Sequence, residues 1–386
     1  MIDFLNAAFN GISIGAVLLL AALGLAIVFG LMGVINLAHG ELMMLGAYAT
    51  YVVQNGFKAI GDGWWNEIYI FVALFAAFLV AALAGLILER GVVRFLYGRP
   101  LETLLATWGV SLILRQFVRS ANWAIVAGIL LFCGLYFGGA WLLRRRPNWD
   151  SIKNWASPVL LVLSIAISST LLAVLGRTES PFWTREWFGS RNVDVTAPAW
   201  LRGGFPFGNY QLPYARIFII ILTALCVAGI YWFLQRTKWG LRVRSVTQNR
   251  DMSACLGIPT QKVDALTFSL GSGLAGIAGC AITLLGSVGP NVGGNYIVDA
   301  FMVVVLGGVG KLVGTIVAAM AIGMLNYLIG AGTIAFLLQP VEPLANFFLF
   351  FSTTSMAKVM VFALIIAFLQ VRPAGMFPQK GRSVEG

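Results

Sequence analysis

Two glycine-rich stretches place hydrogen-bonding and ionisable side chains inside otherwise apolar sequence. In GVINLAHGELMMLGAYA these are Asn36, His39 and Glu41; in SVGPNVGGNYIVDAFMVVVLGGVGK they are Asn291, Asn295, Tyr296 and Asp299. A third stretch, LETLLATWGVSLILRQF, repeats Thr103, Thr107 and Ser111 at helical spacing, with Trp108 beside them. Ionisable groups at membrane depth are costly, so such residues are expected either to line a solute pathway or to be paired inside a helix bundle. The chemistry on offer is hydrogen bonding to a small polar solute, or a proton relay through His39, Glu41 or Asp299. A structural role stays open for each: His39 and Glu41 can satisfy backbone groups freed where a helix breaks, and a hydroxyl stripe can pack helix on helix.

Other chemistries fail at the level of pattern. No nucleophile, base and orienting group recur at matched spacing, so no catalytic residue is assigned. Cys133, Cys226, Cys255 and Cys280 stand apart from each other and from His39, which supports neither a metal site nor a disulfide framework. GGVGK at 307–311 looks like a phosphate loop, but the first required glycine falls on Val305 and Leu312 stands where Ser or Thr is needed. No cofactor is therefore expected. The net charge of +11 comes from basic residues dispersed among short loops, a distribution that fits the positive-inside rule and not a nucleic-acid partner.

The elements that hold these residues must be membrane helices. Of 386 residues 59% are hydrophobic and 11% charged, with a mean hydropathy of +0.86, whereas ordinary soluble domains carry about 25% charged residues. Several uncharged runs reach the roughly 20 residues that cross a bilayer. The expected fold is an all-α polytopic membrane protein of about eleven segments, some broken by Gly and Pro. The spans are read at Asn10–Phe29, Val34–Val53, Ile68–Leu88, the LETLL stretch, Trp123–Leu143, Pro158–Leu175, Tyr214–Leu234, Ala265–Gly286, a short segment before Lys311, Leu312–Ile329 and Ala357–Val371. The basic turns ERGVVRFLYGRP and RRRPNWDSIK both fall on the cytoplasmic side by this count, with the N-terminus outside as a retained helix and the C-terminus inside. Gly271, Gly273, Gly276 and Gly279 along one span let helices approach closely. The two Gly-broken segments, near His39 and Asn295, occupy comparable places in the two halves, as in an internal repeat that meets at a central pathway.

One polar interruption stands out, from Gln235 to Lys262. It carries Arg236, Lys238, Arg242, Arg244, Arg250 and Lys262 against Asp251. Its first half is expected to be loop and its second half a short helix, started by Asn249 or Asp251, ended at Gly257 in the left-handed region and stopped by Pro259. Met252 and Leu256 would form an apolar knob that either tucks against the bilayer or docks a soluble partner.

Taken together, GVINLAHGELMMLGAYATYVVQ, LETLLATWGVSLILRQ, VRSVTQNRDMSACLGI, GPNVGGNYIVDAFMVVVLGGVGKLVGTI and RPAGMF resemble the permeases of the branched-chain amino acid ABC transporter family over most of the chain. Within that family they look most like urea permeases, the first of the two membrane subunits. The resemblance implies a membrane-spanning subunit in the bacterial cytoplasmic (inner) membrane, moving urea delivered by a periplasmic urea-binding protein. It also implies a second homologous permease as heterodimer partner, two cytoplasmic ATP-binding subunits that perform the hydrolysis, and contact with membrane lipid. Gln248, Asn249, Arg250, Asp251, Met252, Leu256 and Gly257 would form the ATPase-coupling helix. Asn36, His39, Glu41, Thr107, Ser111, Asn291, Asn295, Tyr296 and Asp299 are the candidate pathway residues. The implied organisation is an N-terminal membrane half (1–119), an inserted helix pair (120–179), a periplasmic loop (180–213), a membrane helix (214–234), a cytoplasmic coupling loop (235–264), a C-terminal membrane half (265–371) and a cytoplasmic tail (372–386). The inserted pair departs from the family pattern. A branched-chain amino acid is the alternative substrate, although Glu41 and Asp299 provide only acids for a zwitterion. An ion-coupled secondary transporter working alone is the third possibility.

Overall fold

The computed structural model describes residues 2–61, 63–145, 149–177, 180–207, 210–339 and 342–377. The centre of the RRRPNWDSIK turn and the end of the tail lie outside the described residues. The chain forms two compact units, one of residues 1–112 with 193–386 and one of residues 113–192.

In the larger unit, α1 (Ile2–Met32) and α12 (Thr260–Thr283) form the hub. Their most apolar windows are 83% and 78% buried, far more than those of the other helices long and apolar enough to span a membrane. Small residues make this possible. A Cβ on Gly276 would stand 2.2 Å from the Ala77 carbonyl oxygen of α3 (Trp65–Gly91), so only glycine allows α12 to lie on that backbone. α2 (His39–Ile60) packs on both α3 and α12. The hub is flanked by α9 (Tyr214–Arg236), α13 (Val292–Gly307) and α14 (Leu312–Gly330), and α17 (Thr354–Val371) packs outside them on α14 and α13. Short helices α15 (Thr333–Leu337) and α16 (Glu342–Phe350) lie between α14 and α17. A two-stranded hairpin, β1 (Gly204–Phe207) with β2 (Tyr210–Pro213), leads into α9. The segment before it is pinned: Gln54 and Tyr69 both donate to the Thr196 carbonyl, at 2.6 and 2.7 Å.

The smaller unit takes the later part of α4 (Pro100–Ser120), then α5 (Trp123–Cys133), a π-type turn, α6 (Gly139–Arg144), α7 (Trp149–Arg177) and the single turn α8 (Pro181–Thr184). α5 and α7 pack side by side, with Gly128 against Leu172. Trp123 stacks on Phe182 and meets Trp187 edge-on at the end of the pair. The two spans are only 6% and 11% buried, a surface suited to an apolar solvent.

Among the described residues seven helices are long and apolar enough to span a membrane, or eight if the bent α16–α17 pair counts as one. The count of eleven is not confirmed. α2 and α4 carry Glu41, Lys58, Glu102, Arg115 and Arg119, and α13 has 16 residues. A second difference is α10 (Lys238–Gln248), which makes a helix of the stretch expected to be loop. Its cations face outward while Gly240, Val243 and Val246 are buried, and the two valines pack with Val263, Leu31 and Leu234.

Candidate functional site

The polar residues at the first helix break are used internally. α1 ends at Gly33, whose φ of +68° turns the chain, and α2 begins at His39. Between them Asn36 Oδ1 accepts from the Ala38 N–H at 3.0 Å, and Leu37 N–H donates to Thr107 Oγ1 at 3.2 Å. His39 Nε2 lies 3.0 Å from the Ala21 carbonyl of α1; a carbonyl only accepts, so Nε2 carries the proton. Ser111 Oγ donates to Glu41 Oε1 at 3.0 Å. All five polar side chains are buried. The Asn36 Nδ2 and His39 Nδ1 atoms are buried without a hydrogen-bond partner among the described residues. The second broken segment meets the first directly: a Cβ on Gly40 would be 2.3 Å from the Gly293 carbonyl oxygen. Asn291, at the N-cap of α13, and Asn295, in its first turn, are exposed.

Tyr296 and Asp299 sit elsewhere, in a cavity of about 450 Å3 within the larger unit. Ile14, Val17 and Leu18 of α1 and Leu285 give it an apolar wall; Arg216 of α9, Asn326 and Tyr327 of α14 and Lys358 of α17 supply polar groups. Lys358 Nζ donates to the buried Asp299 Oδ2 at 2.9 Å. The Arg216 guanidinium is held by Asn10 Oδ1, and Asn10 Nδ2 in turn lies 3.4 Å from the Tyr327 hydroxyl. Both signs of charge line this one cavity, whereas the sequence reading names only the acids Glu41 and Asp299. None of Asn36, His39, Glu41, Thr107, Ser111, Asn291 or Asn295 lines it. Arg216, in YARIFIII, and Lys358, in MAKVMVFALII, carried the same intramembrane-charge signal as Glu41 but were not singled out.

The polar interruption forms a defined surface. α11 (Arg250–Cys255) is capped at its start by Asn249 Oδ1, which accepts from Met252 N–H at 2.9 Å. It ends in a Schellman arrangement: Ile258 N–H reaches Ser253 O at 3.1 Å, Gly257 N–H reaches Ala254 O at 3.0 Å, and Gly257 takes φ +78°. Met252 and Leu256 are 59% and 78% exposed, and Asp251 is exposed beside them. Gln248 closes α10 just before the cap. Arg250 points the other way. Its Nη2 donates to Asp264 Oδ2 of α12 at 2.6 Å and its guanidinium lies over the Tyr97 ring. The Tyr97 hydroxyl donates to Glu89 Oε1 of α3 at 3.3 Å. Burial, reinforced by the nearby Asp264 and Glu89 carboxylates, pushes the Tyr97 phenol well above its ordinary value, so it stays a donor. A four-residue linkage thus ties α11 to α3 and α12.

Broken, glycine-packed helices, a solute-sized charged cavity and a helix-borne apolar knob define a polytopic membrane protein of the transport type. The chain belongs to the family described as branched-chain amino acid transport system / permease component, whose model matches residues 7–369. It is 26% identical over 381 residues to the high-affinity branched-chain amino acid transport system permease protein LivH of Escherichia coli strain K12, covering 97% of this chain and 95% of that one. It is 25% identical over 329 residues to the corresponding protein BraD of Pseudomonas aeruginosa, covering 83% and 84%. A shorter likeness, 30% over 148 residues, joins it to the ribose import permease protein RbsC of Escherichia coli strain K12, covering 36% and 40%. No solved structure matches.

Proposed function

We propose that this chain is the membrane-spanning permease subunit of an ATP-driven importer in the bacterial inner membrane, and that its solute is a branched-chain amino acid. The observation that carries the coupling is α11: an apolar knob of Met252 and Leu256, capped at both ends and tied inward through Arg250, is the form a docking element for a soluble partner takes. Cytoplasmic ATPases seat on it; a second permease and an extracytoplasmic binding protein complete the importer. This places the C-terminus and residues 235–264 in the cytoplasm and the N-terminus and residues 180–213 outside. Movement of α11 is handed through Arg250 to Asp264 and through Tyr97 to Glu89, and so to α12 and α3. These two helices rest backbone on backbone, so they shift as rigid bodies that change the packing around the pathway. The buried cluster of Asn36, His39, Glu41, Thr107 and Ser111 braces the broken helix next to that pathway.

The names of the LivH and BraD relatives and the mixed charge of the cavity favour a zwitterion with an apolar side chain. Urea is the second reading, supported by the resemblance of the quoted stretches taken together to urea permeases. Reconstitution with the ATPases, the second permease and loaded binding protein decides between them by uptake of labelled leucine or labelled urea. Met252→Asp and Leu256→Asp are each expected to lower solute-stimulated ATP hydrolysis tenfold or more. Unchanged stimulation would remove α11 as the docking element. Proton-driven uptake by the lone chain would establish an ion-coupled transporter instead.

A further inference from the structure

We propose that the cavity bounded by Arg216, Asp299 and Lys358 is a solute subsite of the permease, in which Arg216 receives the solute's carbonyl or carboxylate oxygen and Asp299 receives its N–H group in place of Lys358. The assignment rests on the function proposed above and adds to it a location and a polarity. At about 450 Å3, the cavity falls within the roughly 300–1,000 Å3 of small-molecule sites, and it has their character of an apolar wall with a few convergent polar groups.

Asp299 and Arg216 differ in how they are satisfied. Asp299 is buried and receives the Lys358 ammonium, which is itself half exposed at the cavity edge. A lysine is a compact charge on a flexible stem, so it can withdraw while another N–H donor takes its place, and the buried carboxylate is not left unpaired. Arg216 presents a rigid fork of five donors. Asn10 accepts from one of its nitrogens, and among the described residues no carboxylate pairs with it. What the fork lacks among the described residues is an anionic oxygen acceptor for its remaining N–H groups. With Lys358 counted, the three charged side chains carry one net positive charge, which suits a solute that brings an electron-rich oxygen. An amino acid meets both demands, carboxylate to Arg216 and ammonium to Asp299, and lays its side chain on Ile14, Val17 and Leu18. Urea meets the same two demands with its carbonyl and amide groups and leaves the apolar wall unused.

The test uses the full importer in proteoliposomes and reads initial uptake of labelled leucine and labelled urea in separate arms. Arg216→Gln is expected to cut uptake of whichever solute the wild type imports tenfold or more, with the variant still co-purifying with the ATPases. Asp299→Asn combined with Lys358→Gln, which strands neither partner of that ion pair, is expected to do the same. Exchanging the pair, Asp299→Lys with Lys358→Asp, keeps an ion pair between α13 and α17 but moves the carboxylate to the other helix; it is expected to stay inactive. Uptake by the exchanged variant within twofold of wild type would mean that the pair only braces the two helices, and would overturn the proposal. Normal uptake by Arg216→Gln and by the paired neutral variant would overturn it as well. If the wild type imports neither solute, the proposed function itself falls, and this is visible before any variant is compared.

Discussion

Cutting the link between Arg250 and Asp264 should free α11 without unfolding the membrane core. The contact is 2.6 Å long and lopsided, with the aspartate side chain 4% exposed and the arginine 42%. A fully exposed ion pair contributes about 0–1 kcal/mol, whereas removing one partner of a buried pair costs about 3–5 kcal/mol. With one wet end and one dry end, an intermediate value of about 1–3 kcal/mol is expected, and the guanidinium over Tyr97 adds about 0.5–1 kcal/mol. A coupling of about 1–3 kcal/mol changes a local equilibrium roughly 5–150-fold. The assay is amide hydrogen exchange of residues 249–258 in the full chain in lipid nanodiscs, for Arg250→Ala, Asp264→Asn and both together. Each single variant should speed exchange at the Met252, Gly257 and Ile258 amides, which are bonded only while α11 is formed. The double variant should be scarcely worse than either single one, giving a coupling energy of about 1 kcal/mol or more. Effects that add to within about 0.5 kcal/mol, or exchange that does not change, would refute the idea that this pair anchors α11.

Further outcomes follow from individual contacts. Gly40→Ala drives a methyl into the Gly293 backbone and should lower stability by about 1–3 kcal/mol, while Gly229→Ala, with open space around it, should be neutral or gain about 0.5–1 kcal/mol; thermal unfolding in detergent compares them. Thr107→Val keeps the shape but takes the acceptor from the Leu37 N–H, and should cost about 1–3 kcal/mol in the same measurement. Asn249→Ala removes the cap of α11 for about 1 kcal/mol, and Gly257→Ala forces a side chain into the left-handed region for about 1–2 kcal/mol. Both should raise exchange in residues 250–256 and leave α12 protected.

What could be taken from the sequence is what local chemistry fixes. Long uncharged runs have one outcome in a bilayer, so the helical membrane class was legible. A short helix started by Asn249 or Asp251, ended at Gly257 and carrying Met252 and Leu256 four apart followed from cap preferences and i, i+4 spacing, while the structure decided that Asn249 is the cap and that Met252 and Leu256 are exposed. The glycines of α12 announced close packing. α10 was misread because its cations dominated its composition, although Val243 and Val246 already recurred at helical spacing. Which polar residues share a space was not legible at all. Asn36, His39, Glu41, Thr107 and Ser111 turn inward to close a helix break, whereas Tyr296 and Asp299 join Arg216 and Lys358 across a cavity. Those partners come from α9, α13 and α17, far apart in the chain, and no local pattern encodes their meeting. Only the close packing of α1 on α14 through Gly15 and Gly323, with α9 and α13 against α1 and α17 against α14, brings them together, because ion pairing depends on distance in space and hydropathy depends on order in the chain.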